Sequence, residues 1–370
     1  MAKSSHATIR KVLSVGQFVV AMVLTAWVLV IQTQNIFMNN KDIGYNPRNL
    51  FGVWSQSEAM ENDFRSHASV EMVTRASVDF FYGDRNALFK NAEDSEGYAV
   101  TTLITDPDYI DLMQMKLIAG SRFPAKSDSI IKVILNQSAV NYLEMTPDEV
   151  IGKRILLSHS RNVEVCGVVE NFVFESLHSP VGGFCISNAN TLRELIMIRT
   201  KEGNFSEQIK IIEDIYKKHS PNSMFNPIIH EQDVAKRYDG DRRTARIAVV
   251  FSLLAIFVAC MGVFGLTAFM VEQRTKEIGI RKVIGASIIN IVSLFTKTYV
   301  RLLLISLVIA IPVAWWVCNR YLQDFANRIS LGWWIFITAT LITIALTLIT
   351  VSLQALKAAT KNPVDSIKSE

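Results

Sequence analysis

The side chains best placed to do chemistry lie in one charged segment, residues 272–287, between two long apolar stretches. Its polar face is formed by Arg274, Lys276, Glu277, Arg281 and Lys282. Ile278 and the other apolar residues of the segment can face a membrane or a helix bundle, and Gly279 and Gly285 permit bends or close approach. Such a face can form ion pairs with a second protein. The alternative is a basic inner loop that contacts lipid headgroups alone.

Motifs for covalent chemistry are missing from the sequence. The pair Gly152-Lys153 stands alone, without the G-x-x-x-x-G-K-[ST] pattern of a phosphate-binding loop. The six histidines form no H-E-x-x-H arrangement, and Asp106, Asp108 and Asp111 lack the glycine and terminal glutamate of a calcium loop. There is no G-x-S-x-G elbow. We therefore predict a chain that is not an enzyme, with no catalytic residue, no metal site and no cofactor of its own.

The composition predicts a membrane protein with four spans. Half of the residues are hydrophobic and 19% are charged, which is too apolar for a soluble chain of 370 residues. The apolar residues concentrate at 12–31, 247–271, roughly 302–318 and 333–351, each close to the ~20 residues that a helix needs to cross a bilayer, and the third spanning helix is expected at 291–318 with an amphipathic start. Residues 12–31 could instead be a signal peptide, but the run is long and no A-x-A-like site follows, so we favour an uncleaved anchor.

Lysine and arginine near the span ends predict the orientation. They favour residues 1–11, the loop 272–290 and the tail 352–370 in the cytoplasm, with residues 32–246 and the short loop 319–332 outside. Basic residues just before the second span argue the other way, but they end a long segment, for which the rule has little force. No ionisable residue lies deep in any span, which disfavours an ion-coupled carrier.

The outer segment predicts an α+β domain in two parts. Two β-α-β patterns, at about 49–79 and 194–232, are expected to pair into one ferredoxin-like subdomain. The residues between them, about 80–193, predict a β-rich inserted lobe. Cys166 and Cys185 fall in this lobe, where an oxidising compartment would allow a disulfide, and two unpaired thiols on strands are the alternative.

Small and hydroxylated residues recur along two of the spans. In the second span the small residues that share one helix seam are Ala248, Ser252, Ala255, Ala259 and Gly262. This seam predicts close helix packing, either within the four helices or against a second unit. In the fourth span Thr340, Thr343, Thr347 and Thr350 recur in a similar rhythm, which predicts hydrogen bonds across a helix pair.

The charged segment closely resembles the cytoplasmic loop of the FtsX/MacB-like ABC transporter permeases of the mechanotransmission type (type VII). The matching string is Glu-Gln-Arg-Thr-Lys-Glu-Ile-Gly-Ile-Arg-Lys at 272–282, followed by Gly-Ala-Ser at 285–287. Residues 169–178 are similar to an outer-domain segment V-x-D-F-x-F-E-S-L-H seen in Bacteroidetes-type members, with Asn171 in place of the aspartate. The likeness extends over essentially the whole chain, as a single four-helix unit.

The resemblance implies four helices, a MacB-like periplasmic domain between the first and second, and a bacterial inner-membrane location with both termini cytoplasmic. It implies a second permease unit and a separate ATPase dimer that binds ATP and Mg²⁺ and acts on the charged segment. The function expected is mechanotransmission, most similar to MacB-like efflux with a periplasmic adaptor and an outer-membrane channel. The alternatives are lipoprotein release like the LolCDE system, control of a cell-wall hydrolase like FtsX, and a membrane sensor or scaffold without an ATPase.

Overall fold

The computed structural model describes residues 2–89, 97–124, 130–158, 161–175, 179–191, 193–273 and 288–360. The chain divides into two compact units. The helical unit consists of Met1–Asn40 and Gly240–Glu370, and the outer unit is Lys41–Asp239. The predicted coupling residues 274–287 lie outside the described residues, so their role stays a prediction.

The described elements follow the order of the chain. The helices are α1 (Ala2–Asn40), α2 (Glu58–Ser66), α3 (Tyr109–Met113), α4 (Gln137–Tyr142), α5 (Pro147–Val150), α6 (Phe205–His219), α7 (His230–Arg237), α8 (Asp239–Gln273), α9 (Ile288–Leu322) and α10 (Trp333–Thr360). The strands are β1 (Leu50–Trp54), β2 (Val70–Ala76), β3 (Asp84–Phe89), β4 (Tyr98–Ile104), β5 (Leu117–Gly120), β6 (Ile131–Asn136), β7 (Arg154–Leu157), β8 (Arg161–Val169), β9 (Gly183–Ser187), β10 (Leu195–Thr200) and β11 (Ile228–Ile229). A 3-10 turn covers Phe80–Tyr82.

In the part of the chain that the structure describes, four helices, α1, α8, α9 and α10, are long and apolar enough to cross a membrane. The predicted fold class, a helical membrane protein with a large α+β domain inserted between its first and second spanning helices, is confirmed. The helices are longer than the predicted spans: α1 continues to Asn40 and α10 to Thr360. The apolar run marks only the part of a helix that crosses the hydrocarbon core, and the helix can continue beyond it with polar residues.

The helical unit is centred on α1, which packs against α9 and α10. One buried cluster joins Phe18 and Met22 of α1 to Val263 of α8 and Tyr299 of α9. The hydroxyl of Tyr299 lies 2.7 Å from that of Thr267 on α8 and donates to Val263 O at 3.3 Å. These contacts join α8 and α9 on the inner face of the helices.

Within the described part of this chain the threonines of α10 do not bond to another helix, so the prediction of hydrogen bonds across a helix pair is wrong for pairs inside the chain. Thr340, Thr343, Thr347 and Thr350 each donate to the backbone carbonyl four residues earlier in the same helix, at 2.7 to 2.9 Å. That carbonyl is always within reach of a helical threonine hydroxyl, whereas a partner on another helix must be placed by packing.

In the outer unit, a four-stranded antiparallel sheet has the order β11-β1-β10-β2, and α2 and α6 lie in the two β-α-β connections. This is the order of the ferredoxin-like β-α-β-β-α-β motif. The central strand β10 is buried on both faces: Ile196 and Ile198 join the cluster with α2 and α6, while Leu195 and Met197 face the inserted lobe. Burial on both faces explains why β10 is a continuous apolar run and does not alternate.

The inserted lobe contains a sheet with the order β5-β8-β6-β9-β4-β3-β7. Because β7 also pairs with β8, strands β3, β4, β6, β7, β8 and β9 close into a small barrel. Its interior is filled by apolar side chains that include Leu88, Val100, Val133, Leu135 and Val165, and Ala139 and Val140 of α4 belong to the same cluster. Closure of the ring leaves few unpaired strand edges.

Candidate functional site

Two segments carry the chain between the helical unit and the folded body of the outer unit. The first connector, residues 41–49, follows α1, and the second connector, α7, precedes α8. The chain enters the outer unit through the first connector and leaves it through the second. Their attachments within the outer unit therefore define the candidate functional site.

A buried arginine holds the first connector. Arg199 of β10 is only 3% exposed and donates three hydrogen bonds to backbone carbonyls: Nε to Leu112 O at 2.6 Å, Nη1 to Arg48 O and Nη2 to Asn46 O, both at 2.8 Å. Burial lowers the pKa of this guanidinium. Carbonyl dipoles replace the water that the charge has lost. Arg199 thus joins the ferredoxin-like sheet, the first connector and α3 at one point.

Backbone hydrogen bonds continue this attachment along the connector. Val173 N donates to Ile43 O at 2.8 Å, Asn46 N to Met113 O at 3.1 Å, and Thr200 N to Asn49 O at 3.0 Å. Gly44 has a φ of +80°, and a Cβ there would lie 2.5 Å from Asn171 O. Glycine is favoured here because it adopts a positive φ without strain and has no Cβ to overlap Asn171 O. The first connector can therefore pack its backbone directly against the backbone of the inserted lobe.

The two connectors meet at one aromatic cluster, which we call the aromatic junction: Tyr45, Phe80, Phe81, Phe172 and His230. Phe80 is at its centre. The Tyr45 ring packs edge-on against Phe80 with centroids 4.9 Å apart, and the His230 ring stacks on Phe80 at 5.6 Å. The Arg237 guanidinium lies 3.7 Å from the centroid of Phe81, a cation–π contact. Tyr45 belongs to the first connector, and His230 and Arg237 to the second.

Polar groups are buried in this junction without full hydrogen bonding. Asp79 Oδ1 accepts from Phe81 N at 3.0 Å and so caps the 3-10 turn, while Asp79 Oδ2 lies 3.8 Å from His230 Nε2. Burial, above all, raises the pKa of Asp79 to about 6 and lowers the pKa of His230 to about 3. Among the described residues, neither ring nitrogen of His230 has a hydrogen-bond partner, nor do the hydroxyls of Tyr45 and Tyr109. Burial raises the pKa of both tyrosines.

The seam residues of α8 face helices of the same chain. Ala248 packs with Ile31 of α1, and Ser252 and Ala259 are also buried. Ala255 and Gly262 are half-buried, and a Cβ on Gly262 would overlap the Gln17 side chain of α1. The opposite face of α8, with Phe251, Phe257 and Phe264, is exposed. Intramolecular packing, one of the two alternatives for this seam, is what the structure shows.

The disulfide alternative for Cys166 and Cys185 is wrong in this structure, where both thiols are free. Strand β6 lies between β8 and β9 and pairs with both, so the cysteines are two strand spacings apart, roughly 9–10 Å. A disulfide requires Cα atoms within about 7 Å. Burial raises the pKa of Cys166 to about 11 and that of Cys185 to about 12, so both stay protonated thiols.

Asn171 has a structural role; it stands in place of the aspartate in the segment that residues 169–178 resemble. Its Oδ1 accepts from Ser138 N at 2.9 Å, in the first turn of α4. An amide oxygen and a carboxylate oxygen can both accept this bond. The replacement therefore keeps the helix-capping contact and removes only the charge.

Sequence reasoning did not identify Arg199, Asp79 or His230. For Arg199 a signal existed: one arginine follows four apolar residues in a strand that reads as fully buried, and buried arginines need partners. Asp79 and His230 are far apart in sequence, and no motif connects them.

Comparisons with known proteins agree with the helical part of the chain. Residues 249–363 match the model of the family described as FtsX-like permease C-terminal. No curated protein matches the sequence.

The solved structures that resemble part of the chain include the following three. The periplasmic region of MacB from Actinobacillus actinomycetemcomitans is 15% identical, covering 55% of this chain and 97% of its own, with a TM-score of 0.39. A domain of a putative permease from Porphyromonas gingivalis is 19% identical, covering 47% and 86%, with a TM-score of 0.34. The extracellular domain of the noncanonic ABC-type transporter YknZ from Gram-positive bacteria is 14% identical, covering 46% and 94%, with a TM-score of 0.33. The resemblance predicted from the charged segment is confirmed by the family match: residues 249–363 of this chain are an FtsX-like permease C-terminal domain.

Proposed function

We propose that the chain is a permease subunit of an ABC transporter of the FtsX/MacB type, which converts ATP hydrolysis by a separate ATPase into motion of its outer unit. The observation that carries this proposal is the aromatic junction. Both connectors contact Phe80, one through Tyr45 and the other through His230. A displacement of either connector is therefore applied to the same point of the outer unit.

Transmission of motion needs connectors that do not stretch or detach under load. Two hydrogen bonds from Arg199, to Asn46 O and to Arg48 O, would have to break before the first connector could leave β10. Such bonds to a charged donor are roughly twice as strong as neutral ones. On the second connector, Arg237 contacts the Phe81 ring and donates to Glu175 O at 3.2 Å. Glu175 and Phe81 both belong to the inserted lobe, which is the part we expect to be moved.

We propose that a partner subunit binds and hydrolyses ATP. The sequence contains no phosphate-binding loop, so ATP and Mg²⁺ would be bound by an ATPase dimer that engages residues 274–287 on the cytoplasmic side. Among these residues, we expect Arg281 and Lys282 to contribute most to binding of the ATPase. A second permease unit would complete the membrane part. We propose MacB-like export, with the outer unit in the periplasm and both termini in the cytoplasm.

The test combines partner identification with an uncoupling variant. The tagged full chain is purified from native membranes in mild detergent, and its partners are identified by mass spectrometry. We expect an ABC ATPase in near-equal amount, and stimulation of its ATPase activity by the chain in nanodiscs. Charge reversal R281E/K282E should abolish that stimulation, while reversal of two exposed lysines of the outer unit, K153E/K210E, should not. Absence of an ATPase from a folded preparation, or full stimulation by R281E/K282E, would contradict the proposal.

A further inference from the structure

One end of the barrel contains a cavity of about 460 Å³. The strand register places its lining residues together: Thr102 of β4 pairs with Asp84 of β3 and with Cys185 of β9. Leu88 and Val100 fill the barrel interior, and side chains two residues apart on a strand face the same side. Asn86 and Thr102 therefore face into the barrel, one layer above its apolar core. Pockets at the mouths of β-barrels are common positions for ligands.

The cavity has an apolar floor and a polar rim. Ile131, Leu157 and Val163 line it on the side of the barrel core. The rim carries Asp84, Asn86, Thr102, Ser158 and Ser187. A shape of this kind can hold a small apolar group while polar atoms above it fix the orientation of the ligand.

Several rim groups have hydrogen-bonding capacity that the described residues do not use. Thr102 is 7% exposed, and its hydroxyl has no hydrogen-bond partner in the described part of the chain. Such a buried hydroxyl is costly unless something bonds to it. Asn86 Oδ1 accepts from Ser158, but its amide nitrogen only reaches Asp84 O at 3.5 Å. One N–H of the Asn86 amide and the Thr102 hydroxyl therefore remain for a ligand.

Charge on the rim selects the ligand further. The guanidinium of Arg85 lies 3.2 Å from the carboxylate of Glu175 and is balanced by it. The carboxylate of Asp84 is exposed and makes no ion pair with any described residue. Among the described side chains that line the cavity, the charge without an ion-pair partner is therefore that of the Asp84 carboxylate, which attracts an ammonium group.

We propose that the barrel mouth binds the free amino terminus of a short peptide with small side chains. The ammonium group lies at Asp84, the first peptide carbonyl accepts from the Asn86 amide and the Thr102 hydroxyl, and a small side chain contacts the floor at Leu157 and Val163. A neutral sugar could use the hydroxyl and amide groups but would have no need for the charge of Asp84. The role of the ammonium group thus separates the two ligand classes.

The experiment is calorimetric titration of the full chain in nanodiscs with Ala-Ala-Ala, N-acetyl-Ala-Ala-Ala and glucose. We expect Ala-Ala-Ala to bind, and N-acetylation or the substitution D84N to weaken binding at least about tenfold, as loss of a charged contact does. T102V, which keeps the side-chain shape, should weaken binding several-fold. D214N removes an exposed carboxylate from α6 and should leave binding unchanged.

Three results would overturn the proposal: no binding of Ala-Ala-Ala up to about 10 mM, equal binding of the acetylated peptide, or unchanged binding by D84N. Tighter binding of glucose than of the peptide would assign the cavity to a neutral ligand instead. Circular dichroism of D84N and T102V verifies that they fold. The titration contains no ATPase, so its failure leaves the proposed transport function standing.

Discussion

The substitution D79N tests the energetics of the aromatic junction. Asp79 is 2% exposed, and its pKa in the folded protein is about 6, against an ordinary value of 3.8. A carboxyl whose folded pKa is raised stabilises the fold while protonated and loses that contribution as pH rises through the folded pKa. A difference of roughly two pH units corresponds to about 3 kcal/mol of stability at neutral pH. Wild-type stability should therefore fall between about pH 4 and pH 7.

Asparagine at position 79 keeps the acceptor for Phe81 N but cannot ionise. We expect D79N to lose this part of the pH dependence and to be more stable than wild type at pH 7 by up to about 3 kcal/mol. The assay is hydrogen–deuterium exchange of β10 in the full chain in nanodiscs, with rates corrected for the intrinsic pH dependence of exchange. D214N, an exposed carboxylate on α6, is the control and should behave as wild type.

The reasoning fails if D79N and wild type lose protection of β10 equally as pH rises. It also fails if D79N is less stable than wild type at pH 7. The attraction between the Asp79 carboxylate and a cation such as Arg237 would then outweigh the cost of burying the carboxylate. Arg237 is the nearby cation that lowers the pKa of Asp79, but its effect is smaller than that of burial. Repeating the measurement in D79N/R237Q separates the effect of Arg237 from the effect of burial.

Three further predictions concern the connectors and the helical unit. R199M should destabilise the outer unit by about 3 kcal/mol or more, because three backbone carbonyls lose their charged donor; exchange of residues 41–49 and β10 should rise together, and unchanged protection would refute the attachment of the first connector by Arg199. G44A should destabilise more than G152A: both glycines have positive φ, but only Gly44 has backbone within 4 Å of an added Cβ, so equal melting temperatures would contradict the close approach. Q34L should expose the backbone of residues 327–329, since the buried Gln34 amide donates to Asn327 O and accepts from Ile329 N, whereas Q32L on the exposed face of α1 should leave exchange of that loop unchanged.

Strongly periodic or apolar segments could be read from the sequence with good accuracy. The β-α-β patterns predicted at about 49–79 and 194–232 coincide closely with β1-α2-β2 and with β10-α6-β11. Each of these elements has a local pattern that depends on which face is buried, and that pattern is visible without knowledge of the partner. Helix ends were less accessible: α1 and α10 extend past the apolar runs that marked them.

Contacts between distant residues could not be read in the same way. The four threonines of α10 have the spacing expected for helix pairing, yet each bonds to its own backbone. Spacing identifies a shared face, but the choice between a local and a distant acceptor depends on the distance to the neighbouring helix. The disulfide alternative for Cys166 and Cys185 was wrong for a related reason, because the strand β6 lies between the two strands that carry them.

The sequence by itself determined four apolar helices, an α+β insertion after the first, and a charged segment that resembles FtsX-like permeases. The helices and the insertion follow from composition and local periodicity, which each segment carries alone, whereas the resemblance rests on the residue string at 272–287. Only the tertiary structure decided that Tyr45 and His230, 185 positions apart in the numbering, meet at Phe80, that Arg199 holds the first connector, and that six strands close around a cavity. Burial energies and hydrogen-bond partners in these places depend on which distant segments come together, and no local pattern records that.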